Sequence, residues 1–185
     1  DGGVFTNDTR NTIIRGTSSE PRDINITDIA NKDQGFVLQK FSNAASTGDF
    51  GSDQTFVDTD FPLFRLADVY LMYAEAQLRG ASNATEINAL NYVNLLRTRA
   101  NNPQTITSAD LNLDFILDER ARELHWEAHR RQDLIRFSKF TGGAYNWAWK
   151  GNGSNGISLP EYLDLYPIPA ASLSTSPNLS QNTGY

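Results

Sequence analysis

The 185-residue sequence contains no cysteine. Disulfides, thiolate nucleophiles and cysteine-ligated zinc are excluded together. Basic residues are scarce, with 16 Lys and Arg against 22 Asp and Glu and a net charge of −6. Nucleic acid needs a basic surface for its phosphates, and a polybasic membrane mode needs one for lipid headgroups, so neither is expected as a partner. No apolar run approaches the length of a membrane span. A glycine-rich phosphate loop, a serine elbow and a triad-like arrangement are all missing, and no cofactor is expected. The chain begins Asp1-Gly2-Gly3 without Met or a signal-peptide pattern, so a targeting segment, if one existed, is expected to be gone.

What is present suits a folded domain. Hydrophobic residues make up 39% and charged residues 21%, enough apolar content for one core. Ten Phe, seven Tyr and three Trp sit in a polar, Asn- and Ser-rich chain. That load fits sugar stacking and an ordinary core equally well.

Residues 1–60 carry no helix signal. Ile24-Asn25-Ile26-Thr27 alternates as a strand does, and Gly35 to Phe41 reads as a second strand. Asn43 to Ser52 is loop by composition. So long a loop-rich segment is expected to pack on something else, in this chain or outside it. Residues 61–140 form a helical core. Phe61-Pro62 is expected to open a helix, with Pro62 in its first turn and Gly80 as its cap. Leu63 to Leu78 is apolar on nearly every side, which predicts burial, apart from a line of Arg65, Asp68, Glu75 and Arg79 that should meet partners on other helices. A second helix is expected from near Asn83, burying Ile87, Leu90, Val93, Leu96 and Ala100. Together they approximate one tetratricopeptide-like helix pair. A third helix should start at the Thr107/Asp110 capping signal and run through Ala128, followed by a short amphipathic piece from Asp133 to Phe140. Residues 141–185 read as an aromatic loop and an extended tail pinned by its apolar side chains.

Glu119 to Phe140 concentrates the charge. Leu117, Ala121, Leu124 and Ala128 make one helical stripe, and Arg120, Glu123, Glu127 and Arg131 a second. The default reading of the second is a solvated, self-paired face. His125 and His129 at i, i+4 would share a helix face, a spacing that can bind a metal. No third ligand is evident, and pairing with nearby acids is the expected state, so no metal is assigned. Asp58-Thr59-Asp60 suits calcium or, preferentially, a helix cap. Tyr145, Trp147 and Trp149 are the candidate ligand-binding residues. Trp147 and Trp149 alternate, so in extended chain both indoles face one side, as a platform for sugar rings or as an anchor on the core.

Several motifs in order carry a resemblance. Phe61-Pro62-Leu63-Phe64-Arg65-Leu66-Ala67-Asp68-Val69-Tyr70-Leu71-Met72-Tyr73-Ala74-Glu75-Ala76, then Val93 to Ala100, Glu119 to Phe140, Tyr166-Pro167-Ile168-Pro169 and Pro177 to Tyr185 resemble the C-terminal portion of the SusD/RagB family. Ala128 and Ser138 stand where the family is expected to have Gly, and Thr183 where a proline is usual. The resemblance implies a mainly α, tetratricopeptide-like scaffold with long irregular loops and minor β. It implies a lipoprotein of the outer membrane's outer face, held by a lipid anchor absent from this chain. Its expected partners are an oligosaccharide or polysaccharide and a SusC-like TonB-dependent transporter, and it would be no enzyme. The alternatives are a glycoside hydrolase and a peptide-binding helical-repeat module. Glu75, Arg97, Arg120 and Glu123 are expected to form a buried charge network between helices.

Overall fold

The computed structural model describes residues 7–45, 47–53 and 55–185. The protein is mainly helical and divides into two compact units, Asp1–Arg130 and Arg131–Tyr185.

The first unit is built on three helices. α1 (Leu66–Leu78) buries Ala67, Leu71, Ala74 and Glu75, one stripe at helical spacing. Its other side is open: Leu66, Val69 and Met72 are 62%, 49% and 46% exposed. The helix is therefore buried along one stripe, and not all round as its composition predicts. It also starts four residues beyond Pro62. Arg65 occupies the N-cap in extended backbone with no side-chain cap, and its guanidinium is drawn to acids on a distant segment. Gly80 follows the C-cap at φ +88, where a Cβ would be strained.

α2 (Glu86–Arg99) runs antiparallel to α1. Tyr73 lies beside Thr85 and Asn88, while Tyr70 stacks on Tyr92 with centroids 4.5 Å apart. Its cap is Thr85, whose hydroxyl accepts from the Asn88 amide, and not Asn83. Val93, Leu96 and Ala100 are buried as expected, but Ile87 is 80% exposed and Ala89 takes its place. The pair is the tetratricopeptide-like element of the scaffold. α3 (Leu113–Leu124) packs on α1 and buries Ile116 and Leu117. Asn112 caps it. The expected Thr107/Asp110 cap closes a separate turn, with Asp110 accepting from the Thr107 amide and hydroxyl.

Before the helices, β1 (Ile13–Ile14) pairs antiparallel with β2 (Val37–Leu38). The strand expected at Ile24 to Thr27 does not form. Asp23 captures the Asn25 amide and Gln34 captures those of Thr27 and Asp28, so local side-chain bonds replace ladder bonds.

The third helix ends at Leu124, four residues short of expectation. Trp126 and Ala128 both take φ +61, and α4 (Arg130–Arg136) restarts the helix. Ala128 is exposed and leaves the apolar stripe. His125 and His129 fall in the break, so the shared helix face their spacing implied does not exist.

In the second unit, Arg131 lies 4.0 Å from the Tyr166 ring centroid and 4.9 Å from that of Phe140, and donates to the Leu163 carbonyl. 3-10 turns span Lys150–Asn152 and Glu161–Asp164, and α5 (Ala170–Thr175) occupies part of the predicted extended tail. The last residues are held by polar groups as well as apolar ones. The Gln181 side chain pairs with both the amide and the carbonyl of Ile168, and the Tyr185 hydroxyl donates to the Leu165 carbonyl.

Ala128 and Ser138 (φ +56) are the two positions where the sequence departs from an expected glycine, and both lie in the left-handed region. A Cβ there costs on the order of 1 kcal/mol, which glycine avoids. Ala128→Gly and Ser138→Gly are each expected to raise unfolding free energy by about 0.5–1 kcal/mol in urea titration. A loss of stability in both would refute the strain.

Candidate functional site

The charged stripe of α3 does not face solvent. Glu119, Arg120, Glu123 and Glu127 are all buried. Glu119 and Glu123 are one helical turn apart, and past the backbone reversal at Trp126 and Ala128 Glu127 shares Arg65 with Glu123. Glu119 accepts from Arg10 Nη1 at 2.8 Å, from Arg97 Nη1 at 3.0 Å and from Arg122 Nε at 2.8 Å. Glu123 accepts from Arg10 Nη1 at 3.1 Å, Arg65 Nη1 at 2.9 Å and Arg99 Nη2 at 2.7 Å. Glu127 takes two bonds from Arg65, at 2.7 and 2.8 Å, and one from Lys40 Nζ. Lys40 Nζ also donates to the Glu123 and His125 carbonyls, neutralising the C-terminal end of α3. Arg120 reaches across to Asp68 on α1 at 2.7 Å, and Glu75 pairs with Arg79 on its own helix.

The four residues expected to be buried, Glu75, Arg97, Arg120 and Glu123, are 5%, 1%, 3% and 3% exposed. The solvated-face reading is overturned, because cations from outside the helix replace water at each carboxylate. Asp8, Arg10 and Lys40 carry no sequence signal for this role. Asp8 fixes Arg10 through its Nε and Nη2 groups and receives a bond from Asn102 at 2.9 Å. The loop-rich segment thus packs on the helices of its own chain through these charges.

The electrostatics follow from this geometry. Burial alone would push the Glu123 carboxyl up, but Arg99 and Arg65 outweigh it and hold it below the usual carboxylate range. Arg65 and Lys40 do the same for Glu127, and Arg10 and Asn102 for Asp8. His125 is pushed down by burial, with Lys40 adding to the effect. These charges tie the loop-rich segment, α1 and α2 to α3.

The aromatic loop lies in the second unit. Tyr145 and Trp147 meet edge to face at 5.5 Å and 60°. The buried Lys150 donates to the Tyr145 carbonyl at 2.7 Å, and its ammonium lies 4.9 Å from the Trp147 ring centroid. Gly156 permits this closeness, since a Cβ there would lie 2.3 Å from the Trp147 carbonyl oxygen. Trp149 takes φ +68, so the backbone turns at that residue. The extended alternation that would set both indoles on one side is therefore absent. Trp147 remains 41% exposed, while Trp149 is half-buried. Asp58, expected to cap a helix, instead accepts from the amide and hydroxyl of Ser52 within a loop.

The helix pair and the inward charges define a class of helical scaffold. Comparison with known proteins makes the class specific: residues 7–185 match the SusD family, and the chain belongs to it. It is 40% identical over 181 residues to the starch-binding protein SusD of Bacteroides thetaiotaomicron, covering 96% of this chain and 31% of that protein. A SusD-like protein of Formosa agariphila is 37% identical over 134 residues, 66% of this chain and 24% of its own length. The chain therefore spans less than a third of the curated relatives it matches. A SusD superfamily crystal structure from Bacteroides vulgatus superposes with a TM-score of 0.61 at 26% identity, over 97% of this chain and 36% of that one.

The charge ladder gives a prediction with a fixed sign. Folded-state carboxyl pKa values below their unfolded ones add stability that is complete above about pH 4.5 and lost as pH falls through the lowered values. The depressed His125 acts in the same direction, costing stability below about pH 6.5. Urea midpoints should decline slightly from pH 7 to 5 and steeply below that. Glu123→Ala should cost about 1.5–3 kcal/mol at pH 7, since Arg10, Arg65 and Arg99 each lose a charged acceptor while Arg10 and Arg65 keep others. A midpoint unchanged down to pH 3 would contradict the ladder.

Proposed function

We propose that this chain is part of a non-catalytic glycan-capture protein. It binds oligosaccharide or polysaccharide at the outer face of the outer membrane and delivers it to a SusC-like TonB-dependent transporter. The observation that carries this reading is the 40% identity to a starch-binding protein across nearly the whole chain.

Within the second unit, Tyr145, Trp147 and Trp149 are proposed as a glycan contact, with the exposed part of the Trp147 indole as its main surface. A sugar ring would pack its C–H face on that indole, backed by Tyr145 and Lys150. Affinity electrophoresis of the protein against a panel of polysaccharides tests binding, and product analysis after incubation tests catalysis. Trp147→Ala is expected to weaken retardation roughly tenfold with an unchanged melting temperature. Unchanged retardation with a lower melting temperature makes the loop an anchor instead. Release of shorter sugars, abolished by one carboxylate substitution, establishes a hydrolase.

A further inference from the structure

The segment before α1 contains a second feature that the scaffold does not use. From Asn43 to Asp58 the chain leaves and returns to nearly the same point. Asn43 Oδ1 accepts the Asp58 amide at 2.8 Å, and Thr59 Oγ1 donates to the Ser42 carbonyl at 2.9 Å. Such a closed surface loop is an Ω-loop, a form often given over to function. It is braced by its own polar side chains. Asn43 Nδ2 donates to the Asp53 carbonyl, and Asp58 accepts both the amide and the hydroxyl of Ser52 at 2.6 Å. Gly51 is packed so closely that a Cβ would lie 2.3 Å from Asn43 Oδ1.

This bracing leaves two groups open to solvent. Phe50 is 94% exposed, so its ring contributes almost no burial to the fold. Asp53 uses Oδ1 to accept the amides of Thr55 and Phe56, which keep its carboxyl below the usual range, while Oδ2 accepts none of the described hydrogen bonds. Both groups line one hollow of about 550 Å³ with Asn43, Gly51 and Ser52. That volume lies within the roughly 300–1,000 Å³ of small-molecule sites.

We infer that this loop is a second carbohydrate-contact site, distinct from the Trp147 loop, which takes a neutral pyranose stacked on Phe50 with a hydroxyl donating to Asp53 Oδ2. An exposed ring offers area to the apolar face of a sugar, and an ionised carboxylate accepts O–H donors strongly. The charge selects the sugar type. Residues 41–60 carry four aspartates and no lysine or arginine, so uronates and sulfated sugars are repelled. The bonds of Asn43 to Asp53 and Asp58, and of Ser52 to Asp58, fix groups that line the hollow before a sugar arrives, which lowers the entropic cost of binding.

The inference rests on the glycan-binding reading, and its test separates the two. Affinity electrophoresis is run on the protein, Phe50→Ala and Asp53→Asn, in gels containing amylopectin, xylan, laminarin or the polyuronate alginate, with and without EDTA. The parent protein should be slowed by at least one neutral polysaccharide and not by alginate. Each variant should bind that polysaccharide about tenfold more weakly at an unchanged melting temperature. Full retardation of both variants overturns this site while leaving glycan binding standing. Retardation by alginate alone, or loss of binding with EDTA, overturns the neutral-sugar assignment. No retardation of the parent protein by any polysaccharide overturns both readings.

Discussion

Three buried carboxylates, Glu119, Glu123 and Glu127, are the constraint on which the first unit depends. Each is removed from water, and each recovers the lost solvation only through several charged donors. An ionised group in this position is costly when any partner is missing and favourable only when all are present. Their donors come from Arg10, Lys40, Arg65, Arg97, Arg99 and Arg122, which span the loop-rich segment, the entry to α1, the end of α2 and α3 itself. A segment with only four strand residues among the described ones is thereby tied to the helices. Such a mostly irregular stretch needs these ties, because its one short ladder orders little of it.

The ladder also runs across a backbone break that the helical periodicity does not foretell. In a continued α3, residue 127 would lie one turn beyond residue 123 and only about 40° around the axis, on the same face. Reversal through left-handed Trp126 and Ala128 keeps Glu127 on its two cations. The strained positions are thus offset by charge pairing, and one of them, Ala128, is a place where a related sequence is expected to use glycine.

Rigid scaffold and exposed loops divide the work. In the helices Asp68, Glu75, Glu119, Glu123 and Asp133 are each matched to a guanidinium. Trp147, Phe50 and Asp53 lie on loops held by their own internal bonds, and these present surface to solvent. Loops on a stiff frame are where binding groups can vary without disturbing a core.

The sequence by itself determined the mainly helical class, the helix pair ending at Gly80 and Ala100, the buried fate of Glu75, Arg97, Arg120 and Glu123, and the family. These properties are written in local periodicity and in motifs that each occupy one stretch of chain. It did not determine the start of α1, the break after Leu124, the loss of the Ile24 strand or the turn that parts Trp147 from Trp149. It gave no hint that Arg10 and Lys40, in loop-like sequence, reach carboxylates on and just after α3 that lie 87 or more positions away, and the exposed face of α1 read as core. Only the tertiary structure decided these, because a buried charge is satisfied by whichever donors fold beside it, and that proximity is a property of the assembled chain.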